Sequence, residues 1–435
     1  MSQTSLKIVI IGAGMGGLAC AIACRHVGLS VLVLERTPTI QPIGAGIQIP
    51  PNACRVWFHY GLLDKLSEYS VQSQGTLFRR WKNGELLCKR SIDRETNLGC
   101  GMPLLVIHRA DYQRILVDEA KLLGAEIRLG ANVIDVDFAG TNVTLADGEV
   151  IKGDVIIGAD GLWSTLRDKL LGYPSPPQET GNLAYRATFE RSVLESLNDP
   201  TINDLLNQSQ VTCWLGPSSH AVFYPVRRGK VFNLVLATPD DLPMNVRNQK
   251  GNVLEMRELF RGWDETITKI ISAVSTVLKW KLCHHHKLTS WTKNNFALLG
   301  DACHPSLPYQ AQGGAMAIED GAVLGTLFGM YQSQLPNSCP SIPEILHLYE
   351  SIRKERTATN VQGGVANQRM FHMPDGPDQE ERDQILKAAD WKEKDVDEKF
   401  IWIDVRYQKK LLGWDAVEEA RKGWERLVGE RSDGN

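Results

Sequence analysis

No run in these 435 residues approaches the ~20 consecutive apolar positions that a bilayer span needs, so no membrane crossing is expected. The longest apolar helical pattern, near residues 321–330, is preceded directly by Glu319 and Asp320. The apolar start at Leu6 is too short for a secretory h-region. Cysteine is sparse and unordered: nine residues, an odd number at irregular spacing, argue against a disulfide framework and for a reduced, cytoplasmic setting. Basic runs are missing too. Lys and Arg are scattered among acids to a net charge of −3, so no stripe can neutralise phosphates and no nucleic-acid partner is expected. Metal-ligand spacing is absent: His284, His285 and His286 are consecutive, and three neighbours in a strand cannot aim at one ion. No metal is expected. Nor is there an internal repeat or a low-complexity tract.

What is present is concentrated at residues 6–17, where the apolar strand LKIVII runs into Gly12-x-Gly14-x-x-Gly17 and then into an alanine-rich helical stretch. Gly12 permits the tight turn, Gly14 lets the backbone approach a pyrophosphate, and Gly17 lets helix and strand pack closely. The helix N-terminus faces the negative charge. A second strand, SVLVLER, ends in Glu35, placed to hold an adenosine ribose through its hydroxyls. Strand, glycines, helix, second strand and acid together predict a dinucleotide site.

Beyond this unit, strand and helix patterns alternate over the first 170 residues, with a hairpin at TLFRRWKNGELLCKR turning at Asn83-Gly84. A helix starts near Asp111 and ends at Gly124. EIRLG, NVIDVDFAG and NVTLADGEVIKGDVIIGAD then read as strands that complete a sheet packed on the first. From about Gly181 the pattern changes to long alternating strands, which predict a mainly antiparallel sheet able to wall a small-molecule pocket. Residues 251–280 read as helical. Residues 296–325 return as a strand, a Pro- and Gly-rich loop and a helix starting near Gly313. After Ser341 the chain reads as helical and charged, and an aromatic-rich end, 391–424, is expected to pack back on the body. At 43% hydrophobic, the chain has apolar content for two domains sharing a core.

Three separated segments carry a family resemblance together: GAGMGG with Glu35-Arg36, GDVIIGADGLWSTLR at 153–167, and GDACHPSLPYQAQGGAMAIEDG at 300–321. The chain resembles the class A flavin monooxygenases, most of all the salicylate hydroxylase branch with its fungal members, from Lys7 to about Arg356. The resemblance implies an α/β fold, a Rossmann-like FAD-binding domain interleaved with a mainly antiparallel-sheet substrate domain, and a helical C-terminal region. The expected segments are 1–75, 106–180 and 291–360 for FAD, 76–105 and 181–290 for substrate, and 361–435 at the end.

By the same resemblance, Glu35 and Arg36 serve the FAD ribose, and Arg109 reaches the central phosphate and ribityl region. Asp301 bonds the ribityl chain, and the backbone at Gly313 and Gly314 faces the flavin's pyrimidine edge. Asp160 and Gly161 match a second motif that bears on FAD and nicotinamide alike. Gly44-Ala45-Gly46 opens no second βαβ unit, so NADPH or NADH is expected to bind transiently. The implied cycle is reduction by that nucleotide, O₂ addition to give a flavin hydroperoxide, and oxygen transfer to a small aromatic substrate, on a monomer or homodimer.

Such chemistry calls for a cation beside a phenol. Arg186, in LAYRATF, matches a substrate-facing arginine, with Tyr224 on a later strand as its partner. Pro308 matches a proline that walls the reactive flavin carbon, and is equally a loop-shaping residue. Tyr185 and His220 fall on the same predicted sheet and are further candidates. Cys303, beside Asp301 and His304, reads as packing rather than catalysis. The resemblance leaves open simple or decarboxylative hydroxylation, dearomatisation and epoxidation, and a flavin-binding regulator without turnover is the alternative of another class.

Overall fold

The computed structural model describes residues 5–40, 44–92, 98, 100–244, 246–333 and 339–433. The remaining positions of the expected segments lie outside this description. The first strand, Lys7–Ile11, sits inside a six-stranded sheet between two parallel neighbours, Ser30–Glu35 and Val155–Gly158. Glu126–Leu129 and Phe296–Leu298 extend it in parallel on the two sides, and Thr292–Lys293 closes one edge antiparallel. Ile8, Val9 and Ile10 are fully buried, as an uninterrupted apolar strand must be when helices cover both faces of its sheet. One covering helix, Met15–His26, packs against another, Gly313–Ser333, through small residues. A methyl on Gly321 or Gly325 would fall 2.5 Å from an atom of Cys20 or Ala23, so this helix pair is closer than larger side chains allow.

Eight strands form the second large sheet, in the order 248–250, 278–284, 178–190, 231–239, 219–226, 211–216, 75–80, 86–91. Its pairs are antiparallel except one: the hairpin strand Gly75–Arg80 lies parallel to Val211–Gly216. Strand alternation gives this sheet two different faces. One holds Tyr185, Trp214, Phe223 and Phe232 in an apolar cluster with residues of the helices Pro200–Leu206, Val253–Leu259 and Glu265–Ser272. The opposite face carries Ala184, Arg186, His220, Val222, Tyr224, Val235 and Ala237, and it turns toward the nucleotide sheet. A small sheet, Gly46–Ile49 with Leu104–His108 and Val71–Ser73, lies between the two. Asn233 Oδ1 ties it to the large sheet by accepting from Gly46 N at 2.7 Å.

Two local expectations are corrected. The strands expected to complete one sheet packed on the first divide instead: Glu126–Leu129 and Val155–Gly158 join the nucleotide sheet itself, and Val133–Asp137, Asn142–Leu145 and Val150–Lys152 make a separate three-stranded antiparallel sheet. The burial pattern explains it: Ile134 and Val150 are 50% and 60% exposed, a half-solvated sheet that cannot sit between helices. Residues 251–280 are not helical throughout. Two short helices end at Ser272, and the strand Leu278–His284 follows, so His285 and His286 lie beyond a strand end.

The C-terminal part is helical. A capping box of Ser341 and Glu344 starts the 30-residue helix Ile342–Phe371. Shorter helices follow at Pro377–Lys387, Val405–Leu412 and Ala416–Asp433. Trp402 and Trp424 are buried against the body, at 7% and 1% exposure.

Candidate active site

Gly12 adopts φ +113°, and a methyl there would stand 2.3 Å from the carbonyl oxygen of Ala159. The turn out of the first strand therefore admits glycine alone. Gly17 is as confined, since its added methyl would meet Gly12 O at 2.0 Å. Gly14, the residue before the helix Met15–His26, has nothing within 4 Å on that side. Free helix N–H groups thus open onto empty space, the environment a pyrophosphate requires. Glu35 lies beside this turn, half-buried, accepting from Ala13 N at 2.9 Å and from Thr37 N and Oγ1 at 3.0 and 2.9 Å. Arg36 next to it is exposed.

From Gly14 a cleft of about 420 Å³ runs between the two large sheets. Arg109 opens the helix Arg109–Leu122, donates its backbone N–H to Ala45 O at 3.0 Å, and lines one wall. Asp301 faces it from the loop after the strand Phe296–Leu298, with its carboxyl open to the cleft. The surrounding protein raises the Asp301 pKa, and His304 and Arg109 act against that rise. The loop then passes Pro308, turns at Ala311 with φ +57°, and delivers Gly313 and Gly314 at the start of a 21-residue helix. Those first N–H groups have no intrahelical partner. They suit a ligand edge that gains negative charge.

Across the cleft stands the sheet face bearing Arg186. Its neighbour Tyr224 is 4% exposed, and burial drives the Tyr224 pKa up while Arg186 pulls it down. Burial lowers the Arg186 pKa, with Tyr224 opposing and Arg109 adding to the fall. Among the described residues no carboxylate pairs with Arg186, and its Nε is buried without a partner. A half-buried guanidinium that opens to the cleft and has no carboxylate partner is placed to receive an anion there.

Gly12, Gly14, Gly17, Arg109, Asp301, Gly313, Gly314, Arg186, Tyr224, Pro308 and His220 thus converge on one turn or its cleft. Tyr185 does not. Strand alternation puts it on the other face, where its hydroxyl donates to Glu255 Oε1 at 3.0 Å. Asp160 spends its carboxylate on the next helix, accepting from Ser164 Oγ, Thr165 N and Leu166 N at 2.6, 2.9 and 3.2 Å. Gly161, with Ala159 of the same motif, lines the cleft.

Cys303, His304 and Asp320 bring their ligand atoms within 4.8 Å of one another. Asp320 is already matched, by His304 Nε2 at 2.6 Å and Arg353 Nε at 2.7 Å. Burial raises the Cys303 thiol pKa well above its ordinary value, which leaves it inert.

The model of the family described as "FAD binding domain" matches residues 5–363. The chain belongs to that family. Across 421 residues it is 38% identical to "FAD-dependent monooxygenase OpS4" of Beauveria bassiana, covering 95% of this chain and 96% of that one. It is 34% identical over 326 residues to "3-hydroxybenzoate 6-hydroxylase 1" of Aquipseudomonas alcaligenes, at 74% and 80% coverage. In fold it is similar to a salicylate hydroxylase solved as a substrate complex, with TM-score 0.79, 23% identity, and 97% and 98% coverage. The protein is accordingly an FAD-dependent monooxygenase of interleaved α/β architecture. No helix among the described residues is long and apolar enough to cross a membrane.

Proposed function

We propose that this monooxygenase hydroxylates a small phenolic or otherwise anionic aromatic ring, in the cytoplasm, with NADPH or NADH as transient reductant. The carrying observation is the unpaired guanidinium of Arg186 inside the cleft, beside buried Tyr224. Similarity to 3-hydroxybenzoate 6-hydroxylase 1 supports a ring of this kind.

The donor set fits FAD. Glu35 and Arg36 would hold the adenosine ribose, the turn at Gly12, Gly14 and Gly17 the pyrophosphate, and Arg109 the central phosphate and ribityl region. Asp301 would accept from the ribityl chain, and the N–H groups at Gly313 and Gly314 would meet the pyrimidine edge. Bound FAD supplies two-electron chemistry with the nicotinamide and the activation of O₂.

The chain itself must orient the ring and keep it ionised. A guanidinium within 4–6 Å favours a phenolate by about 1–3 pKa units, and it does so best in a dry site. Arg186 supplies that charge, Tyr224 adds a hydroxyl at its side, and Ala184, Val222 and Val235 surround them with apolar surface that excludes water. Pro308 walls the cleft from the opposite loop. We further infer that the segments 1–75, 106–180 and 291–360 act as the FAD lobe and 76–105 with 181–290 as the substrate lobe.

Arg186→Ala is expected to abolish product formation with phenolic acids while the purified protein stays yellow with FAD. Substrate-stimulated NAD(P)H oxidation, with peroxide measured in parallel, is the assay. Unchanged coupled turnover in Arg186→Ala would remove Arg186 from the site.

A further inference from the structure

A second pair of side chains connects the cleft with the outside of the protein. His220, on the strand Ser219–Val226, is 4% exposed and lines the cleft. Its Nδ1 lies 2.8 Å from Nε2 of His372, so Nε2 is the ring nitrogen left for a ligand. His372 is the residue that ends the helix Ile342–Phe371, and it is only partly buried.

A hydrogen bond between two imidazoles needs one N–H and one lone pair. Both rings rest neutral near pH 7, because burial lowers the His220 pKa, with the neighbouring ring adding to it, and burial brings His372 to about 4. The surroundings hold neither ring as a permanent cation. Tyr309 packs at 5.1 Å from His220 and 5.5 Å from His372, and Phe371 at 5.4 Å from His220. Arg186 and Tyr224 share the cleft with His220, and among the described residues no carboxylate bonds either ring. The negative end of a 30-residue helix beside His372 favours a positive charge passing through it.

We propose that His372 is the proton exit of the active site, receiving through His220 the proton that a phenolic substrate loses on binding. This rests on the aromatic hydroxylase reading. The substrate O–H bond breaks and its electron pair stays on oxygen as phenolate. The proton bonds to His220 Nε2, the proton on His220 Nδ1 crosses to His372 Nε2, and His372 Nδ1 releases one to water. One proton enters and one leaves, with both rings neutral throughout the resting states. When the product leaves as a neutral phenol, the proton returns along the same path and resets the tautomers.

Two measurements on the FAD-loaded protein decide it. Nitrogen-15 spectra of labelled histidines, assigned with His220→Gln and His372→Gln, should show His220 protonated at Nδ1 and bare at Nε2 in the resting enzyme. The opposite tautomer overturns the relay, whatever the substrate. In turnover with 3-hydroxybenzoate and salicylate as probes, His372→Gln should lower kcat about tenfold or more at pH 7 while KM stays within about twofold. The deficit should shrink as pH rises toward ~10, where a phenol ionises unaided. Added imidazole should restore part of the rate in His372→Ala, which loss of packing alone would not allow. Equal kcat in His372→Gln and the natural protein at every pH overturns the proposal. If neither probe stimulates NAD(P)H oxidation in the natural protein, the count is against the hydroxylase reading, and the tautomer measurement still decides the relay.

Discussion

Gly14 and Gly17 belong to one motif and face opposite physical situations. A methyl on Gly17 collides with Gly12 O at 2.0 Å, a backbone atom that cannot swing aside, whereas Gly14 has open space. Gly17→Ala should therefore destabilise even the FAD-free protein by about 1–3 kcal/mol, as forced overpacking does. Gly14→Ala should leave the apoprotein's unfolding curve in place and weaken FAD retention, because the methyl fills the approach to the helix N-terminus. Denaturant unfolding of both apoproteins, with the flavin absorbance of the purified holoproteins, separates the two effects. Equal stability losses would mean that Gly14 is structural too. The same scale shows how a one-residue step decides function: Arg186 faces the cleft and Tyr185 faces the Glu255 side, since successive strand residues point to opposite faces.

At the scale of elements, the loop that carries Asp301 and Pro308 is held from behind by parts of the chain distant in sequence. Gln310 Nε2 donates to Asn360 O at 3.0 Å, and Tyr407 Oη donates to Gln310 Oε1 at 2.8 Å. Asn52 Nδ2 donates to Gln312 Oε1 at 3.0 Å and to Glu319 Oε1 at 2.7 Å. Arg356 joins Glu319 to the carbonyls of Lys410 and Leu411. Tyr407→Phe removes one bond of this set at a cost of about 1 kcal/mol, and the larger effect should be on the loop. FAD should dissociate several-fold faster from Tyr407→Phe in a chase against charcoal, and an unchanged rate would show the loop is rigid without it.

The nucleotide turn, the alternating strands, the hairpin at Asn83-Gly84 and the helical pattern after Ser341 were legible because each is a local pattern. The division of the strands at 126–158 between two sheets was not, because apolar alternation does not say which of two sheets a strand joins. Tyr407 lies 97 residues from Gln310, and no spacing rule encodes that meeting. His220 was visible as a residue on the right sheet. Its partner His372 follows only from where the long helix ends.

The molecule as a whole should be sensitive to acid, in two stages with separate causes. Helix Gly313–Ser333 and helix Ile342–Phe371 are joined by a buried ionic cluster in which Arg353 stands 2.7 Å from both Glu319 and Asp320. Burial acts to raise the Asp320 pKa, and His304 and Arg353 overcome it to bring it to about 2. His372 is lowered to about 4 by burial, and His220 well below its ordinary value. Each folded pKa is depressed, so each contribution is fully present above the unfolded pKa and fades as pH falls toward the folded one. For the histidines the fading starts near the unfolded value of about 6.5 and, for His372, runs to about 4, worth up to about 3 kcal/mol. For Asp320 it starts near the unfolded carboxylate value of about 3.9 and runs to about 2, worth about 2–3 kcal/mol. Urea unfolding followed by circular dichroism should thus show level stability above pH 7 and one decline between about 6.5 and 4. A second decline should follow below. His372→Gln should reduce the first decline, leaving the share that buried His220 contributes, and spare the second. Arg353→Met should do the reverse, losing about 3–5 kcal/mol at neutral pH as it strands buried carboxylates, and giving up less on further acidification. Natural protein whose stability stays level from pH 7 to 4 would mean that the histidine pair is already charged when folded, and a charged pair has no lone pair to offer the cleft.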